Sequence, residues 1–235
     1  MISKECFANS NYTGQVIVAS QIGAHHIAKA MPNQDYAGYT AENGNVIFAV
    51  SDGLGSCKIS QIGSQKDVDT VLGLTKFDID ALSTLELQEL ICSTWKKAVG
   101  EEINDYSATL RFVIFTITRV IVGSIGDGTT LIDGDEFCSY KSDAEFSNCT
   151  FALCGNIQNF QILSHPTNAD EYRLLIMTDG ISNEIRVDAE QDLLTYVASI
   201  LNTEKGESEI VEWIESLSAN NGDDKTLVAA VINRK

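Results

Sequence analysis

The sequence predicts a layered α+β domain, on three observations. Strand-like and helical stretches come in blocks and do not alternate, which disfavours a doubly wound parallel sheet. The strand-like stretches are rich in Val, Ile, Phe and Thr and most end in glycine or aspartate. The 235 residues are 44% apolar and 21% charged with only 2 prolines. That composition suits a packed core and excludes disordered, collagen-like and proline-rich chains. One domain spanning 1–235 is expected at this length.

The elements follow in order. Strands are expected over 15–21 and 46–50, then a helix from about 60 to 74 that opens with the small residues Gly63 and Ser64. Leu87, Leu90, Ile91, Thr94, Trp95 and Ala98 share one face of a second helix, and Ser83 with Glu86 supplies a capping box before it. Residues 109–118 and 120–125 are too long for one strand and predict an antiparallel pair with a tight turn near Arg119. Weaker strand signals lie over 136–140, 150–154 and 159–163, and a stronger one over 173–177. Leu194, Val197 and Leu201, then Ile210, Trp213, Ile214 and Leu217, mark two amphipathic helices before a last strand over 227–232.

Charge and cysteine usage narrow the class. With 33 acidic against 16 basic residues the net charge is −17, which argues against binding to nucleic acid or anionic membranes. No apolar run approaches the roughly 18 residues of a membrane span, and the first residues carry no signal-peptide block. A cytoplasmic protein is therefore expected. The 6 cysteines lack C-x-x-C spacing and are read as reduced, mostly buried thiols.

Several features have plain readings. Trp95 and Trp213 lie on apolar helix faces and read as core. His165 before Pro166 reads as a surface loop, Asp133, Asp135 and Glu136 as a solvated hairpin. The run Glu204, Glu207, Glu209, Glu212, Glu215 reads as a solvated helix face, and His25-His26 as the end of a strand.

The aspartates are harder to dismiss. Val46–Val50 runs into Ser51-Asp52-Gly53, 120–125 into Gly126-Asp127-Gly128, and 174–177 into Thr178-Asp179-Gly180. Gly222-Asp223-Asp224 precedes the last strand, and Asn33-Gln34-Asp35 lies between the first two. One Asp-Gly is ordinary turn chemistry. Five acidic strand ends can converge, and carboxylates meeting there repel unless a cation compensates. Oxygen ligands with only 3 histidines in the chain suit Mg²⁺ or Mn²⁺, not zinc. Two such ions about 4 Å apart clamp phosphoryl oxygens and generate a nucleophile from water at neutral pH. Phosphate-ester hydrolysis is the natural reading, with metal binding lacking chemistry as the other.

These residues resemble the metal-dependent serine/threonine protein phosphatases of type 2C, in particular compact bacterial members. The resemblance runs in order through Gly23-Ala24-His25-His26, Pro32-Asn33-Gln34-Asp35, Phe48-Ala49-Val50-Ser51-Asp52-Gly53-Leu54-Gly55-Ser56 and Ser107-Ala108-Thr109. It continues through Ile125-Gly126-Asp127-Gly128, Leu175 to Asn183, and Asp223-Asp224-Lys225-Thr226. The resemblance implies a four-layer sandwich of two antiparallel sheets flanked by pairs of α-helices. It implies that Asp52 bridges two Mg²⁺ or Mn²⁺ ions, with the Gly53 carbonyl at the first and Asp179 and Asp224 at the second. By the same resemblance Asp35 would hold metal-bound water, Gln34 stands where many members have glutamate, and Asp127 matches an aspartate that, with the one at the Asp179 position, helps bind a third ion in bacterial relatives. On that resemblance a bridging hydroxide would attack phosphorus in line, without a covalent phosphoenzyme. A phosphorylated protein substrate and an opposing Ser/Thr kinase are the implied partners.

There are departures from the pattern. The arginine that often clamps phosphate, four residues before the Gln34 position, is Ala30 here, which leaves Lys29 or His26 to substitute. Leu54 stands where eukaryotic members have a histidine, and Ser107 where the family has glycine. The alternative reading is a catalytically weak, phosphatase-like regulatory module that retains its metals. A haloacid-dehalogenase-type enzyme is disfavoured, because no apolar N-terminal strand leads into the Asp-x-Asp pairs at 67–69, 78–80 or 133–135.

Overall fold

The computed structural model of the chain describes residues 1–141, 152–153, 159–217 and 221–235. Strands β1 (Ile2–Ala8), β2 (Tyr12–Gln21), β7 (Thr129–Asp133), β8 (Phe137–Lys141), β10 (Glu171–Met177) and β11 (Lys225–Arg234) form one antiparallel sheet, ordered β1-β2-β11-β10-β7-β8. Strands β3 (Asp35–Thr40), β4 (Val46–Asp52), β5 (Leu110–Phe115), β6 (Arg119–Ile125) and β9 (Gln161–Pro166) form a second, in that order. Helices α2 (Ser60–Leu72) and α3 (Thr84–Val99) cover the outer face of the second sheet. Helices α5 (Glu190–Leu201) and α6 (Gly206–Leu217) cover the outer face of the first. The result is the expected four layers.

Strand alternation divides the apolar residues among three cores. On β4, Val46, Phe48 and Val50 point between the sheets, where they meet Val113, Phe115, Leu174, Ile176 and Val228. Ile47 and Ala49, one residue out of phase, pack under α2 and α3 with Val68, Leu87, Ile91 and Trp95. On β10, Leu174 and Ile176 face the middle, whereas Leu175 and Met177 meet Leu194, Val197, Ile210 and Ile214. Both faces of the central strands are therefore dry, which explains why they read as continuous apolar runs. Each such Val, Leu, Ile or Phe contributes about 1.5–3 kcal/mol by burial.

The expected central strands, the paired strands with their turn before Arg119 and the four long helices are all present. The structure adds β1, β3, β7 and two short helices, α1 (Ala24–Ala28) and α4 (Asp179–Ser182). The edge strand β1 buries only Phe7, and β3, the edge of the other sheet, includes Gly38. Neither shows the apolar pattern that flags a central strand. His25 and His26 lie on α1, not at a strand end. His165 is exposed as expected but sits on β9, where Nε2 is 3.1 Å from the Tyr140 hydroxyl.

Of the expected strand 150–154, Ala152 and Leu153 alone lie among the described residues. They belong to no strand, and the Leu153 N–H donates to the Ala108 carbonyl at 2.9 Å. Asp133 to Glu136 turn the β7–β8 hairpin as expected. Cys6, Cys57, Cys92 and Cys138 are free thiols, but only Cys92 is buried. The expectation of mostly buried thiols fails for three of those four, because Cys6 lies on the edge strand β1, Cys57 on the loop after β4, and Cys138 on the edge strand β8.

The helix α3 begins with the capping box read from the sequence: the Glu86 amide donates to Ser83 Oγ at 3.2 Å, and the Ser83 amide to Glu86 Oε2 at 2.8 Å. Replacing Ser83 with Ala should destabilise the protein by about 0.5–2 kcal/mol, read as a lower urea midpoint with unchanged slope.

Candidate metal centre

The acidic strand ends converge on a cleft of about 230 Å³ lined by His26, Gln34, Asp52, Gly53, Leu54, Gly55, Asp127, Asp179, Asp223 and Asp224. Asp52 ends β4, Asp127 lies in the β6–β7 turn, Asp179 opens α4 directly after β10, and Asp223-Asp224 precede β11. Carboxylate oxygens of Asp52, Asp127 and Asp179 lie within 4.8 Å of one another. Three hard, anionic donors at that spacing fit a divalent oxygen-ligand cation such as Mg²⁺ or Mn²⁺.

Each acid is held by the strand ends around it. Asp52 is tied to the residue before β5 by its amide, which donates to Thr109 Oγ1 at 3.0 Å, and by its carbonyl, which accepts from the Thr109 amide at 2.8 Å. Asp35 lies behind Asp52, opposite it in the β3–β4 register, and accepts from Thr178 Oγ1 at 2.8 Å. Asp224 accepts three hydrogen bonds: Gly23 N–H at 2.7 Å, Gln34 N–H at 2.6 Å and His26 Nδ1 at 2.8 Å. Gly180 lets the Asp179 and Asp224 turns touch, since a Cβ there would lie 1.9 Å from the Asp224 carbonyl oxygen.

The charges are strained. Burial, eased only in part by hydrogen bonds from Asp52 and Thr178, raises Asp35 to about 7. Burial and the charges of Asp35 and Asp179 push Asp52 well above the ordinary carboxylate range. Asp179 rises to about 6 through burial and the neighbouring Asp127 and Asp223. A site whose empty form favours protonation takes up a cation by exchanging protons for it.

The structure brings Asp52, Gly53, Asp127, Asp179, Asp224, Gln34 and His26 to one cleft, with Asp35 immediately behind. It separates the two candidate phosphate partners. His26 is drawn inward by Asp224 and keeps 18% side-chain exposure, whereas Lys29 is exposed and does not line the cleft. Lys29 falls on the turn after α1, a helical turn that the sequence pattern did not reveal. Gln34 is anchored through Nε2, which donates to Ser60 Oγ at 2.8 Å at the start of α2. Asp223 lines the cleft as well, and its place in the Gly-Asp-Asp turn was the signal for it.

Comparison with known proteins agrees with this geometry. The family described as protein phosphatase 2C matches residues 22–215, a span that holds every site residue named above except Asp223 and Asp224. The chain belongs to the protein phosphatase 2C family, whose members are Mg²⁺- or Mn²⁺-dependent serine/threonine phosphoprotein hydrolases. No curated protein sequence matches it significantly. Among solved structures, the catalytic domain of the serine/threonine phosphatase PstP with two manganese ions is similar at 17% identity and a TM-score of 0.69, over 94% of this chain and 99% of that one. RsbX in complex with magnesium is similar at 18% identity and a TM-score of 0.63, over 100% of both chains. The phosphatase Stp1 from Staphylococcus aureus follows at 13% identity and a TM-score of 0.62, over 98% and 94%.

The raised carboxylates predict a pH signature. Their folded values exceed the unfolded value near 4, so the stabilisation of the protonated forms is complete below about pH 4 and is lost as pH rises towards 7. In chelator, Tm should therefore fall between pH 5 and pH 7.5, and Mn²⁺ should reverse most of that loss. A chelated protein with equal Tm at both pH values, and no Mn²⁺ effect, would contradict this account of the cluster.

Proposed function

We propose that the protein is a metal-dependent phosphatase that hydrolyses phosphoserine and phosphothreonine in proteins, by direct attack of water without a phosphoenzyme. The observation that carries this reading is the meeting of Asp52, Asp127 and Asp179 oxygens within 4.8 Å at strand ends of a protein phosphatase 2C fold. Asp52, Asp179 and Asp224 with the Gly53 carbonyl would hold two Mg²⁺ or Mn²⁺ ions, and Asp127 with Asp179 a third. When bound, such ions supply Lewis acidity that activates water and neutralises phosphoryl oxygens.

The remaining residues orient the substrate and the water. Asp35 backs Asp52 and, with Gln34 at the cleft wall, orients the attacking water. His26 gives Nδ1 to Asp224 and leaves Nε2 for a phosphate oxygen, so it takes the part that arginine plays in many relatives. Ala30 stands on an exposed turn with a left-handed backbone, φ 53°, outside the cleft lining. That missing guanidinium is what favours the second reading, a weakly active regulatory module. The whole chain 1–235 acts as one catalytic domain, in the cytoplasm, opposite a Ser/Thr kinase.

Hydrolysis of p-nitrophenyl phosphate and of a phosphothreonine peptide, with Mn²⁺, Mg²⁺ or EDTA, tests the reading. Metal-dependent turnover is expected, and Asp52→Asn or Asp179→Asn should reduce it by on the order of 100-fold or more while the circular dichroism stays native. Full activity in either variant would refute the metal assignment. Mn²⁺ binding without turnover would establish the regulatory module. His26→Ala should raise KM for the peptide by roughly tenfold and change kcat less; an unchanged KM would place the phosphate elsewhere.

A further inference from the structure

A buried guanidinium lies behind the acidic cleft. Arg111, on β5, is 1% exposed and projects from the inter-sheet face of the five-stranded sheet. Its guanidinium donates to main-chain carbonyls: Nε to Asp127 at 3.0 Å, Nη2 to Gly126 at 3.3 Å and Nη1 to Tyr140 at 3.1 Å. Asp127 and Gly126 form the β6–β7 turn that carries one of the three clustered carboxylates, and Tyr140 lies on β8 of the other sheet. One side chain thus ties the Asp127 turn to both sheets.

The turn needs such a tie. Gly126 and Gly128 flank Asp127 with φ of 86° and 99°, and glycines permit many backbone shapes besides this one. A Cβ on Gly128 would lie 3.0 Å from Arg111 Nε, so the turn wraps the guanidinium closely. Removing a charge from water costs several kcal/mol, and an apolar residue would fill this inter-sheet position at no such cost. What an apolar residue lacks is a rigid fork of donors matched to three carbonyls.

We propose that Arg111 is a positioning residue for the metal centre: it fixes the Gly126–Asp127–Gly128 turn so that the Asp127 carboxylate faces Asp52 and Asp179. This inference rests on the metal reading above and assigns a role to a residue outside the cleft. It predicts that Arg111 governs the affinity of the one ion that uses Asp127 and leaves the others alone. Lysine cannot replace it, because one ammonium cannot span the carbonyls of Gly126, Asp127 and Tyr140.

Calorimetric titration of the chelated full chain with Mn²⁺ tests the proposal, for wild type, Arg111→Met, Arg111→Lys and Asp127→Asn. The expected result is a tenfold or greater weakening of one Mn²⁺ site in both Arg111 variants, with the remaining affinity within about twofold of wild type. Arg111→Met combined with Asp127→Asn should weaken that site no further than Asp127→Asn alone. Wild-type isotherms in folded Arg111 variants, or parallel weakening of every site, would overturn the proposal and leave Arg111 a packing element. Should Arg111→Met fail to fold, Arg111→Lys, which keeps the charge and most of the stem, decides alone by the same criteria. A wild-type chain that takes up no Mn²⁺ refutes the metal reading, and this inference with it; normal wild-type binding with unaltered variants refutes only this inference.

Discussion

Asp35 and Asp52 face each other across neighbouring antiparallel strands, and the surrounding fold buries Asp35 and leaves Asp52 half-buried at the wall of the cleft. Two carboxylates so placed repel each other and resist ionisation, and Asp127, Asp179, Asp223 and Asp224 add to the same field. The architecture around them works against that repulsion. Gly23 and Gln34 aim amides at Asp224, Thr178 aims a hydroxyl at Asp35, and Thr109 grips the main chain of Asp52. These donors come from strand ends in both sheets, so the acids can assemble only when the sandwich has closed. The centre is therefore a product of tertiary structure, and no isolated segment carries it.

The layers make that closure rigid. Asp52, Asp127, Asp179 and Asp224 each follow or precede a strand whose faces are both covered, by helices on one side and the other sheet on the other. Close-packed strands of this kind slide at high cost, so the strand ends hold their relative heights. The turns between them are short and shaped by close backbone approach, as at Gly180 against the Asp224 carbonyl. Arg111 extends the same logic into the inter-sheet layer, where a polar side chain bonds main-chain carbonyls in place of filling volume.

Much of this was legible in the residues. Central strands such as β4 and β10 announce themselves as apolar runs because both faces are buried, and α3 announces itself by its capping box. Acid-glycine strand ends marked the cleft. The edges were not legible: β1 exposes most of its length and β3 opens on Asp35, so neither carries the pattern of a dry strand. The helix α1 was hidden for a similar reason, since none of its residues is buried. That omission mattered most, because the extra turn moves Lys29 outward and leaves His26 facing the cleft. Arg111 gave no local sign, as its partners are main-chain oxygens up to 29 residues away.

Covering both faces of each sheet separates the molecule into two regimes of sequence tolerance. Interior positions answer to volume and apolarity, which many combinations of Val, Ile, Leu and Phe satisfy equally well. Turn positions answer to charge, donor geometry and backbone shape, and have few solutions. Divergence can therefore accumulate in the layers with the strand ends left nearly untouched. A TM-score of 0.69 at 17% identity is what that division produces, and family membership is then written in a handful of loops rather than in the bulk of the chain.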